Sequence, residues 1–161
     1  ITDMQEDFMT FYKYIQQYLN DDIDFVILGH YQLIDLLLTT KEQTITILKL
    51  VQERNISELL CELGTSHPLV QLLTTKTTDQ LDLLSQLFPY DHRTIQALRR
   101  WEQWFKSLNV KDIHLDITPQ PPRSYYKGAF LKCYLKNDKN HQLTGGFYKG
   151  ELDGFGLGFI L

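Results

Sequence analysis

In the stretch "DIHLDIT", His114 and Asp116 stand two residues apart. On an extended chain that spacing puts both on one face, where an imidazole and a carboxylate could share general acid–base work. No nucleophile accompanies them, the histidines are scattered, and a solvated sheet face accounts for the pair equally well. No HExxH or comparable ligand spacing exists, so no metal site is expected. The C-terminal stretch "GFGLGF" sets Gly154, Gly156 and Gly158 alternately with Phe155, Leu157 and Phe159. It is not a phosphate-cradling loop, because it does not run from a strand into a helix and no Lys-Ser/Thr follows. Glycine weakens a strand, and the usual reason for keeping it is close approach by another backbone or a ligand. Alternation puts Phe155, Leu157, Phe159 and Leu161 on one face and the three glycines on the other, together with His114, Asp116, Tyr126, Gly128 and Lys132. This second face is polar, aromatic and partly stripped of side chains. It suits a small polar ligand lying on backbone, or else another packed segment.

The elements that hold these residues follow from periodicity. Met4, Phe8, Phe11, Tyr12, Ile15 and Leu19 fall at helical spacing over 3–19, with Thr2 or Asp3 able to cap the start. "DFVILGH" is a short strand stopped by Gly29, followed by a helix through "YQLIDLLL". Residues 42–63 read as one or two helices broken near Asn55 and ended by Gly64. Short helices at about 67–75 and 79–88 follow, until Pro89. Asp91 is placed to cap a long helix to Leu108 that carries Ile95, Leu98, Trp101, Phe105 and Leu108 on one face. From residue 112 the period becomes two. About four strands are expected over 112–161, in a mainly antiparallel sheet with "DFVILGH" as a candidate further strand, and "TPQPPR" as a rigid extended connector. The expectation is α+β: one unit over 1–161, mainly helical with one short strand over 1–110 and an antiparallel sheet over 111–161.

Composition excludes several classes. A 43% hydrophobic share supports a packed core, and a net charge of −4 does not suit a nucleic-acid-binding surface. No apolar run approaches the ~20 residues needed to span a bilayer, so no membrane partner is expected. Cys61 and Cys133 form no paired framework, which fits a reducing cytoplasmic compartment. The first residue is Ile1, which suggests a fragment of a longer chain.

Three segments in order, "RSYYKGAFLKCYL", "TGGFYKG" and "GFGLGF", resemble the back half of the class II histidyl-tRNA synthetase core, and 3–38 with "VILGH" resembles the segment after its second signature motif. The resemblance implies a class II synthetase-like antiparallel sheet flanked by helices and truncated at the N-terminus. It maps the family's tyrosine pair onto Tyr125 and Tyr126, and the tyrosine lining its histidine pocket onto Tyr148. A tentative histidine site would then comprise Tyr125, Tyr126, Gly128, Gly146 and Tyr148, with Tyr125 facing away from Tyr126. The chain departs from the synthetase where it matters for catalysis. The arginine ahead of the tyrosine pair is replaced by Pro121, Arg123 comes two positions late, and the terminal Glu-Arg aligns with Ile160-Leu161. Leucine offers neither charge nor donors to a triphosphate. No anticodon-binding segment follows, so no tRNA role is expected.

Such a scaffold is similar to the regulatory subunits of ATP phosphoribosyltransferase, non-catalytic paralogues of the synthetase that act in histidine biosynthesis. That resemblance implies no catalytic residue and no cofactor, the short-form ATP phosphoribosyltransferase catalytic subunit as partner, histidine as a possible effector, and self-association of the full-length protein. A degraded or incomplete histidyl-tRNA synthetase and an interaction module with a vestigial pocket stand as alternatives.

Overall fold

A computed structural model describes residues 9–10, 12–13, 16–18, 21–89, 93–118, 126–137, 142–149 and 153–160; for 126, 127, 142, 143, 145–149 and 153–160 the description is of backbone placement and register. Thr2, Asp3, Asp91, the 119–125 connector with Pro121, Arg123 and Tyr125, and Leu161 lie outside the described residues.

The strands are β1 (Ile23–His30), β2 (Asp112–Leu115), β3 (Tyr126–Leu135), β4 (Gln142–Lys149) and β5 (Asp153–Ile160). Between β1 and β2 run α1 (Leu33–Leu37), α2 (Ile45–Gln52), α3 (Ile56–Leu63), α4 (Pro68–Leu73), α5 (Gln80–Leu87) and α6 (Arg93–Ser107). The strands form one sheet in the order β2-β1-β3-β4-β5. Two details correct the sequence reading. β1 is not stopped by Gly29 but continues to His30; it joins the sheet as expected, between β2 and β3. β2 does not join the antiparallel run; it pairs parallel with β1, Val26 against Ile113 and Leu28 against Leu115. The reason is connectivity: the whole helical segment is a crossover that returns the chain to the end where β1 began, which makes the pairing parallel. The remaining ladders, β1 with β3, β3 with β4 and β4 with β5, are antiparallel.

Helix ends follow local chemistry. The Thr44 hydroxyl accepts from Ile47 N at 3.1 Å and the Asn55 side chain from Glu58 N at 3.3 Å, starting α2 and α3. Gly64, with φ +91, ends α3. His67 caps α4 through Nδ1, which accepts from Leu69 N at 3.1 Å, and Pro68 takes the first helical position. In α6, Ile95, Leu98, Trp101 and Phe105 are buried on one face. Arg99 ties α6 to α5: its Nη1 lies 2.8 Å from Asp82 Oδ1 and 2.8 Å from Glu102 Oε1, and its Nε donates to Ser85 Oγ at 2.9 Å.

The core lies between this helical layer and the sheet face made by Val26, Leu28, Ile113, Leu115, Leu131, Cys133 and Leu135, all buried. The opposite face has close approach of its own. A Cβ built on Gly29 would clash with the Cζ edge of the ring of Phe130, its buried cross-strand partner. Phe130 is held there by Tyr31, whose ring centroid is 5.0 Å away. Gly29→Ala is therefore expected to force that ring aside and cost about 1–3 kcal/mol. Chemical denaturation checks this, and an unchanged midpoint would show that Phe130 yields freely.

Candidate functional site

The ladders settle which residues share rungs. Tyr126 is the Cα partner of Tyr148, and Tyr148 that of Gly154. The next rung holds Phe130, Gly146 and Gly156, and the one after it Lys132, Thr144 and Gly158. Residues opposite one another in an antiparallel ladder lie on the same face. These rungs therefore lie on the face away from Leu131 and Cys133, whose rungs hold Gly145 with Leu157 and Leu143 with Phe159. The register shifts between Tyr126 and Phe130, and Gly128 stands inside that irregularity at φ +76, a left-handed conformation that glycine adopts without strain. Its carbonyl accepts from Tyr31 N at 3.0 Å, closing the end of β1. Backbone geometry thus brings Tyr126, Gly128, Gly146 and Tyr148 to one end of the open face, with Gly154 and Gly156 across β4.

His114 and Asp116 lie elsewhere on that face. His114 pairs with Ile27, and Ile27 with Lys132; on β4 the matching span, from Thr144 opposite Lys132 to Tyr148 opposite Tyr126, is four residues, roughly 13 Å at ~3.3 Å per residue. The two do not form a dyad. His114 Nδ1 lies 2.7 Å from the Thr77 hydroxyl, while Asp116 Oδ1 accepts from Thr118 N at 2.9 Å. Phe25 meets His114 edge-on at 5.8 Å and stacks on Tyr134 at 4.5 Å. Both residues line a cleft of about 520 Å³ that also takes in Asp24, Asp112, Thr77 and Arg54.

Arg54 is a residue the sequence reading passed over. Asn55 N donates to Leu50 O at 3.0 Å and Arg54 N to Val51 O at 3.1 Å, the paired bonds of a Schellman helix end. Arg54 occupies its left-handed position at φ +52, where glycine is the usual occupant and another residue costs about 1–2 kcal/mol. Thr77, on the α4–α5 side of the cleft, and Gln80, which lines a smaller hollow adjoining it, carried no sequence signal either. Cys133 offers no nucleophile, since it is fully buried in the core and burial pushes its thiol pKa up. Among the described residues no group of three or more His, Cys, Asp and Glu is placed to hold a metal, and no helix is long and apolar enough to cross a membrane.

A helical layer over one face of a largely antiparallel sheet, with glycines collected on the other, is the α+β architecture of a class II synthetase-like domain. The chain belongs to the histidyl-tRNA synthetase family, whose model matches residues 18–158. Among its relatives, the ATP phosphoribosyltransferase regulatory subunit of Staphylococcus epidermidis is 49% identical over 97% of this chain, and that of Staphylococcus aureus is 47% identical over the whole of it. The chain spans 58% and 59% of the length of these two relatives. A crystal structure described as an ATP phosphoribosyltransferase regulatory subunit/histidyl-tRNA synthetase from Bacillus halodurans matches with a TM-score of 0.48 and 17% identity, over 76% of this chain and 36% of that one.

Proposed function

We propose that this chain is part of a non-catalytic regulatory subunit of ATP phosphoribosyltransferase, acting in the first step of histidine biosynthesis and in its feedback control by histidine. The observation that carries the reading is the 47–49% identity, across nearly the whole chain, to relatives bearing that name. The partner is the short-form catalytic subunit, the full-length protein self-associates, and the complex works in the cytoplasm.

Histidine recognition falls to the Tyr126–Tyr148 rung with Gly128 and Gly146, with Tyr125, the residue before Tyr126 in sequence, as a further candidate. Tyrosine combines an apolar ring with a directional hydroxyl, which suits an imidazole. The glycines leave backbone accessible next to it. In calorimetric titration of the full-length protein with L-histidine, Tyr148→Ala and Tyr126→Ala should each weaken binding by about 1–3 kcal/mol, from lost apolar contact and an unpaired imidazole. If both variants bind as tightly as the parent, the site lies elsewhere.

The rival reading is a synthetase. It founders on charge: Pro121 and Leu161 stand where the resemblance expects arginines, and losing one charge-stabilising donor typically costs ~10²–10³ in rate. Histidine-dependent ATP–pyrophosphate exchange should therefore sit at background. Robust exchange by the pure protein would reinstate the synthetase.

A further inference from the structure

The cleft between β1, β2 and the ends of the helices lies at the β1–β2 edge of the sheet, away from β3 and β4, which carry the Tyr126–Tyr148 rung, and has no role in the reading above. Its volume, about 520 Å³, is that of a small-molecule site. Three carboxylates line it, Asp24, Asp112 and Asp116, and one guanidinium, Arg54. Among the described residues none of these four takes part in an ion pair, although ion pairs do form elsewhere at Lys49–Glu53 and Arg99–Asp82. Opposite charges thus sit around one hollow without neutralising each other.

Two further observations point inward. Arg54 is held at a left-handed helix end where glycine would be unstrained. Strain of this kind collects where a side chain is needed. Gln80 supplies the second. It is 3% exposed, and its Nε2 donates to Leu72 O at 2.8 Å and to Thr75 O at 3.2 Å. Two carbonyl partners fix which end of the amide is nitrogen. The other end, Oε1, is buried and has no hydrogen-bond partner. Gln80 lines a second hollow of about 10 Å³ that shares Arg54, Leu115 and Thr118 with the cleft. That volume admits about one water. The cleft therefore has carboxylates and one cation, Arg54, in its lining, and shares part of that lining with a small hollow that holds an unsatisfied buried acceptor.

We propose that this cleft binds a small basic zwitterion: a ligand whose carboxylate pairs with Arg54, whose amine or guanidinium donors meet Asp24, Asp112 and Asp116, and behind which one ordered water bridges to Gln80 Oε1. The lining carries more negative than positive charge, so it selects a ligand with the opposite balance, as in a basic amino acid. Phe25, which stacks on Tyr134 and meets His114 edge-on, contributes apolar lining for the ligand's aliphatic stem.

The test compares L-arginine with agmatine, which keeps the guanidinium and the amine but lacks the carboxylate, by calorimetric titration of the full chain. L-Arginine should bind at millimolar concentration or tighter, and Asp112→Asn should weaken both ligands. On Arg54→Gly the affinity ratio of L-arginine to agmatine should fall at least tenfold, while the thermal midpoint rises because glycine suits φ +52. The rise in stability separates a lost contact from a damaged fold. The proposal is overturned if neither ligand binds at millimolar concentration, or if the ratio is unchanged in Arg54→Gly.

Discussion

Phe105→Ala should remove about 3–5 kcal/mol of folding stability. Phe105 is fully buried. It lies in the last turns of α6, and its ring centroid is 5.8 Å from that of Trp101 and 5.4 Å from that of Trp104. α6 packs on both β1 and β3, so the ring lies on the helix that joins the helical layer to the centre of the sheet. Truncation takes away the buried apolar area and leaves a cavity that the neighbouring indoles can only partly fill. A domain of this size has only ~5–15 kcal/mol of net stability, so the variant should melt far earlier or fail to accumulate. Phe105→Leu, which keeps most of the volume, should lose ~1.5 kcal/mol or less. Equilibrium urea unfolding measures both, and a loss below ~1 kcal/mol for the alanine variant would mean that α6 is not what holds the two layers together.

How far the sequence reached can be judged element by element. Helix ends were legible wherever capping is local. The break near Asn55 and the stop at Gly64 are visible because a side chain or a glycine three or four residues from its partner suffices to make them. The face of α6 was legible for the same reason, since Ile95, Leu98, Trp101 and Phe105 carry a 3.6-residue period. Partnering of strands was not. Nothing within "DIHLDIT" says that its neighbour is β1 in parallel rather than β3 in antiparallel, because that choice is made by a crossover of six helices. Within its own stretch Gly29 reads as a stop, yet its strand continues; a ring arriving from β3 explains the glycine, and that ring is about a hundred residues away in sequence.

The candidate site divides in the same way. The grouping of Tyr126, Gly146, Tyr148 and the alternate glycines rests on the period of two and on the order of hairpins, both readable along the chain. The separation of His114 and Asp116 from that group needed the register of β1 and β2. The cleft needed more still. Arg54, Thr77 with Gln80, and Asp112 come from three separate stretches, and their proximity is a product of tertiary assembly alone. The one local hint was Arg54 itself, an arginine at a helix end where glycine is the norm.

The regulatory reading is tested most directly by mixing the full-length protein with the short ATP phosphoribosyltransferase catalytic subunit, assaying phosphoribosyl-ATP formation and titrating histidine. A site that binds histidine without reacting it can still bias a partner, provided histidine prefers one state of the complex. Coupling of the usual size, ~1–3 kcal/mol, changes the partner's affinity or population by roughly 5–150-fold. The account predicts no phosphoribosyl transfer by this protein alone, a several-fold or greater gain in the catalytic subunit's rate on mixing, and inhibition by histidine that appears only in the mixture and weakens in Tyr148→Ala. A catalytic subunit that runs equally fast with and without this protein, and that histidine inhibits alike in both cases, would contradict it.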